Sequence, residues 1–501
     1  MGTGYIRVQA ATGSNALPVA DAEVTIKQRN GANLIKTKTD LNGRTGDFAL
    51  PAPPSANTCS PQCVPVCALC DVDVKAEGYV TKHIRAVEII DTQTTILPVD
   101  MEPLVDEPNP TRDSVVEIPP PGLSLTNCEV IIPPPIARAA NEVIIPDYIT
   151  VHLGRPENTA ARRVRVKFPD YVKNVASSEI YATWPEQSLR ANIHAIVSFA
   201  LNRVYTEWYP SRGYNFDITN STSYDQYYRH DGPVFESISV ITDEIFNVYA
   251  HRFGYRNPYF TQFCNGTTVT CPGMSQWGTV TLANQGKCAL EILRYYYPRD
   301  LQLTATDNIA GITASFPGHS LTLGSQGEDV RRIQNDLNRI RINYPLIPLI
   351  PNPNGEFTHE TQNAVITFQR VFNLPANGVV NRATWNKISS IFTAVSRLAE
   401  LNGEGIRYTI GENPPNVTLS QGSKGGHVLE MQYILNVVSL FYDSVPPVII
   451  DGSFGSMDRN AVIDFQKTFG LPQTGNVGPL TWNMLYAVYR GIRENVMIPE
   501  A

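Results

Sequence analysis

Polar and apolar positions alternate with a period of two in short runs across the first hundred residues. Tyr5-Ile6-Arg7-Val8-Gln9, Ala22-Glu23-Val24-Thr25-Ile26-Lys27, Val72-Asp73-Val74-Lys75 and Ala86-Val87-Glu88-Ile89 each put every second side chain on one face, with a turn signal at Asn42-Gly43. Short strands with regular turn punctuation predict a small β-sandwich over residues 1–102. Past residue 180 the period changes. Leu189, Ile193, Ile196, Val197, Ala200, Leu201 and Val204 recur in steps of three and four. They predict a helix that opens at Trp184-Pro185, with Pro suited to the first turn and Glu186 at the positive end of the dipole. Further helices are predicted over Glu236–Tyr249 and Val280–Tyr296. Between the β and helical patterns, ten of the 46 residues from 103 to 148 are Pro. Proline fixes φ and removes a donor, so this segment is expected to be an extended, semi-rigid linker, open to proteases and without continuous helix or sheet.

The helical pattern then repeats. Gly324-Ser-Gln-Gly327, Val330, Gln334, Leu337 and Asn338 return as Gly422-Ser-Lys-Gly425, Val428, Gln432, Leu435 and Asn436. Gly355-Glu-Phe357 returns as Gly452-Ser-Phe454, Ala364-Val-Ile-Thr-Phe368-Gln369 as Ala461-Val-Ile-Asp-Phe465-Gln466, and Thr384-Trp385 as Thr481-Trp482. Two supersecondary units follow, at 318–400 and 412–492, each reading helix, Gly turn, helix, Gly-Val turn, short helix. Val330, Leu337 and Phe368 are expected to pack, and the glycines to serve the backbone. The fold class is therefore multidomain α+β: an N-terminal β-sandwich, a central α+β domain over 149–310, and two three-helix bundles.

Composition narrows the classes. The 501 residues carry 47 acids and 40 bases, a net charge of −7, which fits neither a nucleic-acid polycation nor an acidic disordered tail. No run approaches the ~18 apolar residues of a membrane span. The opening MGTGYIRVQAATGSN lacks the basic and apolar stretches of a secretory signal, and Ile6 stands where myristoylation wants Ser or Thr. No membrane partner is expected. There is no HExxH, no GxxxxGK[ST], no GxGxxG opening a helix and no Ser-His-Asp order, so neither zincin, nucleotide nor serine-hydrolase chemistry is implied, and no cofactor is expected. His194 and His251 stand alone on helical stretches. Eight cysteines occur, four of them crowded at Cys59, Cys63, Cys67 and Cys70. A zinc knot, a disulfide pair and reduced thiols are all open there. Structural zinc sites usually come as two spaced knuckles, so metal is the lesser expectation. Cys264 and Cys271 precede a GMSQ stretch. Two thiols cannot complete a tetrahedral site, which leaves a disulfide or free thiols, and no metal is expected at the candidate site.

Several stretches resemble known families. "PVADAEVTI … TDLNGRTG … DVDVKAEGYV" resembles the transthyretin-like or carboxypeptidase-regulatory-like module, usually structural or protein-contacting. The two repeats resemble the three-helix peptidoglycan-binding domain. NVASSEIYATWPEQSLRA, residues 174–191, resembles the family stretch V-x-x-E-x-P-x-x-W-P-x-E-A-L-K-A of the SpoIID/LytB superfamily, with Tyr-Ala-Thr replacing the residues around its first Pro. Gly273-Met-Ser-Gln-Trp-Gly278, then Ala283, Gly286 and Ile292 to Tyr297, match the second stretch of that superfamily. Taken together, the chain resembles spore cortex-lytic enzymes of the SleC type. That resemblance implies a pro-form activated by a germination protease that cuts near the end of the linker. It also implies lytic transglycosylase action on cortex peptidoglycan, and a place in the spore cortex or coat region after synthesis in the mother cell.

The resemblance puts the single catalytic carboxyl at Glu179. Just before a helix and between small and apolar neighbours, Glu179 is expected to be desolvated, which raises a carboxyl pKa into the range of a working acid. Tyr181, Trp184, Tyr224 and Tyr227 are candidates for stacking on sugar faces, and Trp184 equally for core. Ser275 and Gln276 are candidates for bonding the glycan or orienting Glu179. Asp217, Asn220 and Asp225 lie in a polar loop, as a further cleft wall or as loop stabilisers. Two other functions stay open. One is a non-catalytic binder or amidase enhancer of the LytB type. The other is a hydrolase with a second carboxylate, Asp217 or Glu236.

Overall fold

The computed structural model describes residues 2–13, 15–29, 34–59, 65–102, 113–124, 143–267, 271–310, 316–401, 414–415, 417–448, 450 and 452–494, with backbone alone at 396–401 and 493–494. Cys63, Cys128 and most of the Pro-rich segment lie outside these residues. Among the described residues no helix is long and apolar enough to cross a membrane.

The first module holds β1 (Gly2–Thr12), β2 (Leu17–Pro18), β3 (Glu23–Gln28), β4 (Leu34–Lys38), β5 (Phe48–Ala52), β6 (Ala68–Lys75), β7 (Thr81–Ile89), β8 (Thr94–Asp100) and β9 (Asp113–Glu117). One sheet runs β4-β3-β6-β7-β9; in the other, β8 pairs β1 in parallel and β2 and β5 pair β1 antiparallel. Ile6, Val8, Val24, Ile26, Val72, Val74, Leu97 and Val99 share one buried core. All but Leu97 and Val99, which come from β8, are the inward positions of the period-two runs.

Two features of the Pro-rich segment differ from expectation. Asp113–Glu117 is a strand, paired in parallel with β7. The run between Pro110 and Pro119 is free of proline, so it keeps the donors an edge strand needs. At the other end, Val143 and Ile145 are buried in the central domain's core, which therefore begins before residue 149.

The central domain contains β10 (Tyr148–His152), β11 (Arg163–Lys167), α1 (Phe168–Glu179), α2 (Glu186–Tyr205), β12 (Ile218–Thr219), β13 (Val234–Phe235), α3 (Glu236–Ile245), β14 (Val248–Arg252), β15 (Phe263–Cys264), β16 (Met274–Ser275), α4 (Gln276–Asn284), α5 (Ala289–Tyr296) and β17 (Leu301–Ala305). α2 is the central helix; its predicted stripe from Leu189 to Leu201 is buried, but so is most of its other face. β13 pairs antiparallel with β8, so the central domain adds a strand to the sandwich.

Two predicted elements change and one unpredicted helix appears. That helix is α1, which Glu179 ends, so Glu179 both closes α1 and lies shortly before α2 as expected. The helix predicted to reach Tyr249 stops at Ile245. Asn247 then donates through Nδ2 to the Thr306 carbonyl at 2.8 Å, and Val248–Arg252 pairs with β17. The single helix predicted over Val280–Tyr296 is two helices, broken where Gly286 takes a left-handed φ of 81° that ends α4.

The C-terminal repeats are α6 (Glu328–Asn343), α7 (His359–Val371) and α8 (Arg382–Leu401), then α9 (Gly426–Val438), α10 (Ser456–Thr468) and α11 (Pro479–Glu494). The third helix of each unit is not short; α8 has 20 residues and α11 has 16. The repeated glutamines pin the turns. Gln334 Oε1 accepts from Gly355 N at 2.9 Å while its Nε2 donates to the Glu356 carbonyl at 2.8 Å, and Gln432 does the same with Gly452 and Ser453 at 2.9 and 3.2 Å. Gln369 and Gln466 hold the second turn in both units. The signature is thus largely the requirement of folding: buried amides satisfying buried backbone.

Candidate active site

Glu179 is 7% exposed. Its place at the C-terminus of α1 adds the negative end of the helix dipole to burial, and both oppose a carboxylate. Its Oε1 accepts the Tyr227 backbone N–H at 2.8 Å, and Gln276 Nε2 lies 3.4 Å from both Oε2 and the Glu179 carbonyl. Burial raises the Glu179 pKa. The Tyr227 N–H, Gln276 and the Arg229 charge pull the other way without cancelling it. The result is a carboxyl that holds its proton above the ordinary carboxylate range while keeping two donors in place for the anion once the proton leaves.

Gln276 reaches Glu179 because its own surroundings are rigid. β15 and β16 pair in parallel, and the Cys264–Cys271 disulfide, with Cα atoms 6.1 Å apart, ties the same loop. A Cβ at Gly273 would collide with the Gln262 carbonyl, and one at Gly278 with the Tyr296 hydroxyl. Both glycines are close-approach positions. Ser275 caps α4, its Oγ accepting from Gly278 N at 3.0 Å. Its role in the structure is to start the helix that carries Gln276.

The aromatic candidates separate. Tyr181 (7% exposed) and Trp184 (4%) pack with Trp277, ring centroids 6.0 Å apart for Tyr181–Trp184 and 5.0 Å for Trp184–Trp277. Trp184 Nε1 donates to the Thr58 carbonyl of the sandwich module at 3.0 Å. Tyr224 is tied through its carbonyl, which accepts from Arg203 Nη2 at 3.0 Å. Tyr227 supplies its N–H to Glu179 and its hydroxyl to the Pro120 carbonyl at 3.1 Å. Asp217 accepts from Thr150 N at 2.8 Å. Asp225 accepts from Arg203 Nε, the Tyr209 hydroxyl and Thr219, so both brace the loop. Glu236 sits at the start of α3 and pairs with Arg7 at 2.8 Å. His194 is buried, held by the Val248 carbonyl at 3.2 Å, and its pKa is lowered to about 4 by burial; His251 lies on β14, with the Thr304 hydroxyl 2.6 Å from Nε2.

The hollow beside Glu179 measures only about 10 Å³, and half its wall is foreign to the central domain: Val66, Cys67, Glu88 and Ile90 come from the sandwich, Pro121 and Leu123 from the Pro-rich segment. A Cβ at Gly122 would lie 3.1 Å from Glu179 Oε2. Nothing in the sequence singled out Arg229, which is the hinge of this closure. Its Nη1 and Nη2 reach Glu88 Oε1 and Oε2 at 3.0 and 3.1 Å, Nη1 also donates to the Pro119 carbonyl, and Nε to Ser178 Oγ. Beyond Tyr181 the chain opens onto a cleft of about 1150 Å³ between the sandwich, the central domain and the first repeat. Thr183, Trp184, Arg190, Glu236 and Glu244 line it on the central-domain side and Asn373 to Ala376 on the repeat side. Among the described residues no His, Cys, Asp and Glu gather as a metal-holding group. Cys67 faces the Glu179 hollow while Cys70 lies in the sandwich core, so these two thiols point into different cores.

A family model matches within the C-terminal third. Residues 326–388 and 424–485 both match the family model described as "Putative peptidoglycan binding domain". These two segments are peptidoglycan-binding domains. Over 170 residues the chain is 26% identical to a "Probable N-acetylmuramoyl-L-alanine amidase" of Bacillus licheniformis, covering 34% of this chain. The chain spans 45% of that relative's length. Among solved structures, 3-chlorocatechol 1,2-dioxygenase from Rhodococcus opacus 1CP overlaps 23% of this chain and 58% of its own at 12% identity. The TM-score of that overlap is 0.13.

Proposed function

We propose that the chain cleaves peptidoglycan glycan strands as a lytic transglycosylase, with Glu179 as its proton carrier and the two repeats holding it on the polymer. The observation that carries this reading is the environment of Glu179: a buried carboxyl at a helix C-terminus, its pKa raised, with the Tyr227 N–H and Gln276 amide aimed at its two oxygens. Protonated Glu179 gives its proton to the glycosidic oxygen as that bond breaks. The muramic acid 6-hydroxyl then attacks the anomeric carbon and loses its proton to the same carboxylate, so a 1,6-anhydro ring forms and no water is consumed. One carboxyl suffices. Asp217 and Glu236, the other candidates, are engaged with Thr150 and Arg7. Tethering by the repeats raises the local concentration of substrate without new catalytic contacts.

The same reading makes the sandwich and Pro-rich segment an inhibitory pro-segment, removed by a germination protease that frees an enzyme of the spore cortex or coat region. Its support is the closed hollow: a sugar ring cannot enter about 10 Å³ walled by Glu88, Pro121 and Leu123. The B. licheniformis relative favours a second reading, an amidase that frees stem peptides and leaves glycan strands intact. Mass analysis of muropeptides released by the protein before and after cleavage within 125–142 decides between them. Anhydro-muramic ends are expected; free stem peptides on intact strands support the amidase, reducing ends a hydrolase, and no product a binder.

A further inference from the structure

Arg229 is 1% exposed, and every N–H of its guanidinium has an acceptor. Nε uses Ser178 Oγ at 3.0 Å and one donor of Nη2 uses the Ser177 carbonyl at 3.3 Å, both on α1. The remaining three donors go to Glu88 Oε1, Glu88 Oε2 and the Pro119 carbonyl, all outside the central domain. The side chain is thus anchored from behind by its own domain and presents a planar, two-pronged face to whatever lies in front. That face is matched to a carboxylate, and in the full chain Glu88 supplies one. Ser178, which holds Nε, immediately precedes Glu179, and the guanidinium charge is felt at the Glu179 carboxyl. When the sandwich departs, the three forward donors lose their partners while the two rear ones stay fixed.

We infer that Arg229 is a carboxylate-binding site beside the catalytic acid, occupied by Glu88 in the full chain and by a carboxylate of the peptide carried on a muramic residue in the activated protein. Glu88 stands in for the ligand in charge and in two-pronged geometry. This rests on the proposed removal of the N-terminal segment, but not on which bond is cleaved. Seating a carboxylate there would place the muramic ring next to Glu179. It would also neutralise the charge that opposes the protonated form of that acid.

The test uses the full chain with a specific protease site placed within 125–142, cut and kept together, and reads the release of the N-terminal fragment by gel filtration. The probes are N-acetylmuramoyl-L-alanine and its C-terminal amide, which differ by one carboxylate. N-acetylmuramoyl-L-alanine is expected to release the fragment at about a tenfold lower concentration, the least that a hydrogen-bonded charge contributes. Equal release by the two probes, or release by neither, overturns the inference. Because no bond cleavage is read, absence of anhydro products sinks the transglycosylase reading without touching this one. A second measurement needs no cut. In intact Glu88→Ala protein, sodium acetate is expected to raise the thermal midpoint by several degrees over sodium chloride at equal ionic strength, with wild type unmoved. An acetate effect of the same size in wild type, or none in the variant, overturns it.

Discussion

Two hollows adjoin at consecutive residues, Tyr181 lining one and Ala182 to Trp184 the other. The first holds Glu179 in about 10 Å³, without room for a single sugar; the second is a cleft of about 1150 Å³ that could take a polymer, and among the described residues lining it no carboxyl is buried. The difference lies in what covers each. Sandwich and Pro-rich residues make half the wall of the first, whereas in the second the sandwich alone of these two forms one side. In the proposed reading, chemistry and access are separated by the sandwich and Pro-rich segment, through contacts that include Glu88 on Arg229, Pro120 on Tyr227, Thr58 on Trp184, and Gly122 against Glu179. The burial that raises the Glu179 pKa also closes that carboxyl off from the cleft.

The sharpest way to break this comparison is at the acid. Glu179→Gln is expected to lower glycan cleavage by about 10²–10⁴-fold, the range for a lost general acid, measured as released muropeptides after cutting within 125–142. Full activity in that variant removes Glu179 from the chemistry. Next is the latch. Glu88→Ala leaves a guanidinium buried without its counter-charge and is expected to cost the full chain about 3–5 kcal/mol in chemical denaturation. It is also expected to let activity appear without proteolysis. Cutting the chain within 125–142 is expected to raise activity over the intact protein, on the order of tenfold or more if the closed form dominates; equal activity means the cover does not inhibit.

A smaller effect tests the fit of the seal. Gly122→Ala puts a methyl 3.1 Å from Glu179 Oε2 and the Ser178 carbonyl, which must shift by tenths of an ångström to receive it. Overpacking of this kind costs about 1–3 kcal/mol, read as a lower unfolding midpoint of the intact chain only. Smallest is the pH dependence of stability. The folded pKa of Glu179 is raised by burial, so its favourable contribution is complete below the unfolded carboxyl value and is lost as pH rises through the folded one. Glu179→Gln is therefore expected to gain stability relative to wild type as pH rises across that window, and cleavage by wild type to fall over the same interval. A flat difference across that window shows that folding leaves the carboxyl's titration unshifted.

The periodicities identified much of this architecture. The period-two runs are the inner faces of the sandwich, the three-four steps from Leu189 to Leu201 lie in the core, and the repeat is two bundles in both fold and family match. The site was legible only in part. Glu179 and Gln276 were both named, 97 residues apart, and the structure brings them together. Tyr227 was named for its ring, yet it meets Glu179 through a backbone N–H that every residue but proline carries, so side-chain type could not announce it. Arg229 and Glu88 stand 141 residues apart in segments of different period and went unnoticed.

Local order is set by what each residue prefers and by which face it must hide, and these are written along the chain. Strand, helix and turn positions, the duplicated bundle and the presence of an acid in an apolar neighbourhood follow from that alone. Which surfaces then meet is decided by shape and charge across segments far apart in the chain. Only folding in three dimensions brings Glu88 over Arg229, sets Pro120 on Tyr227, and shuts the acid away from the cleft beside it.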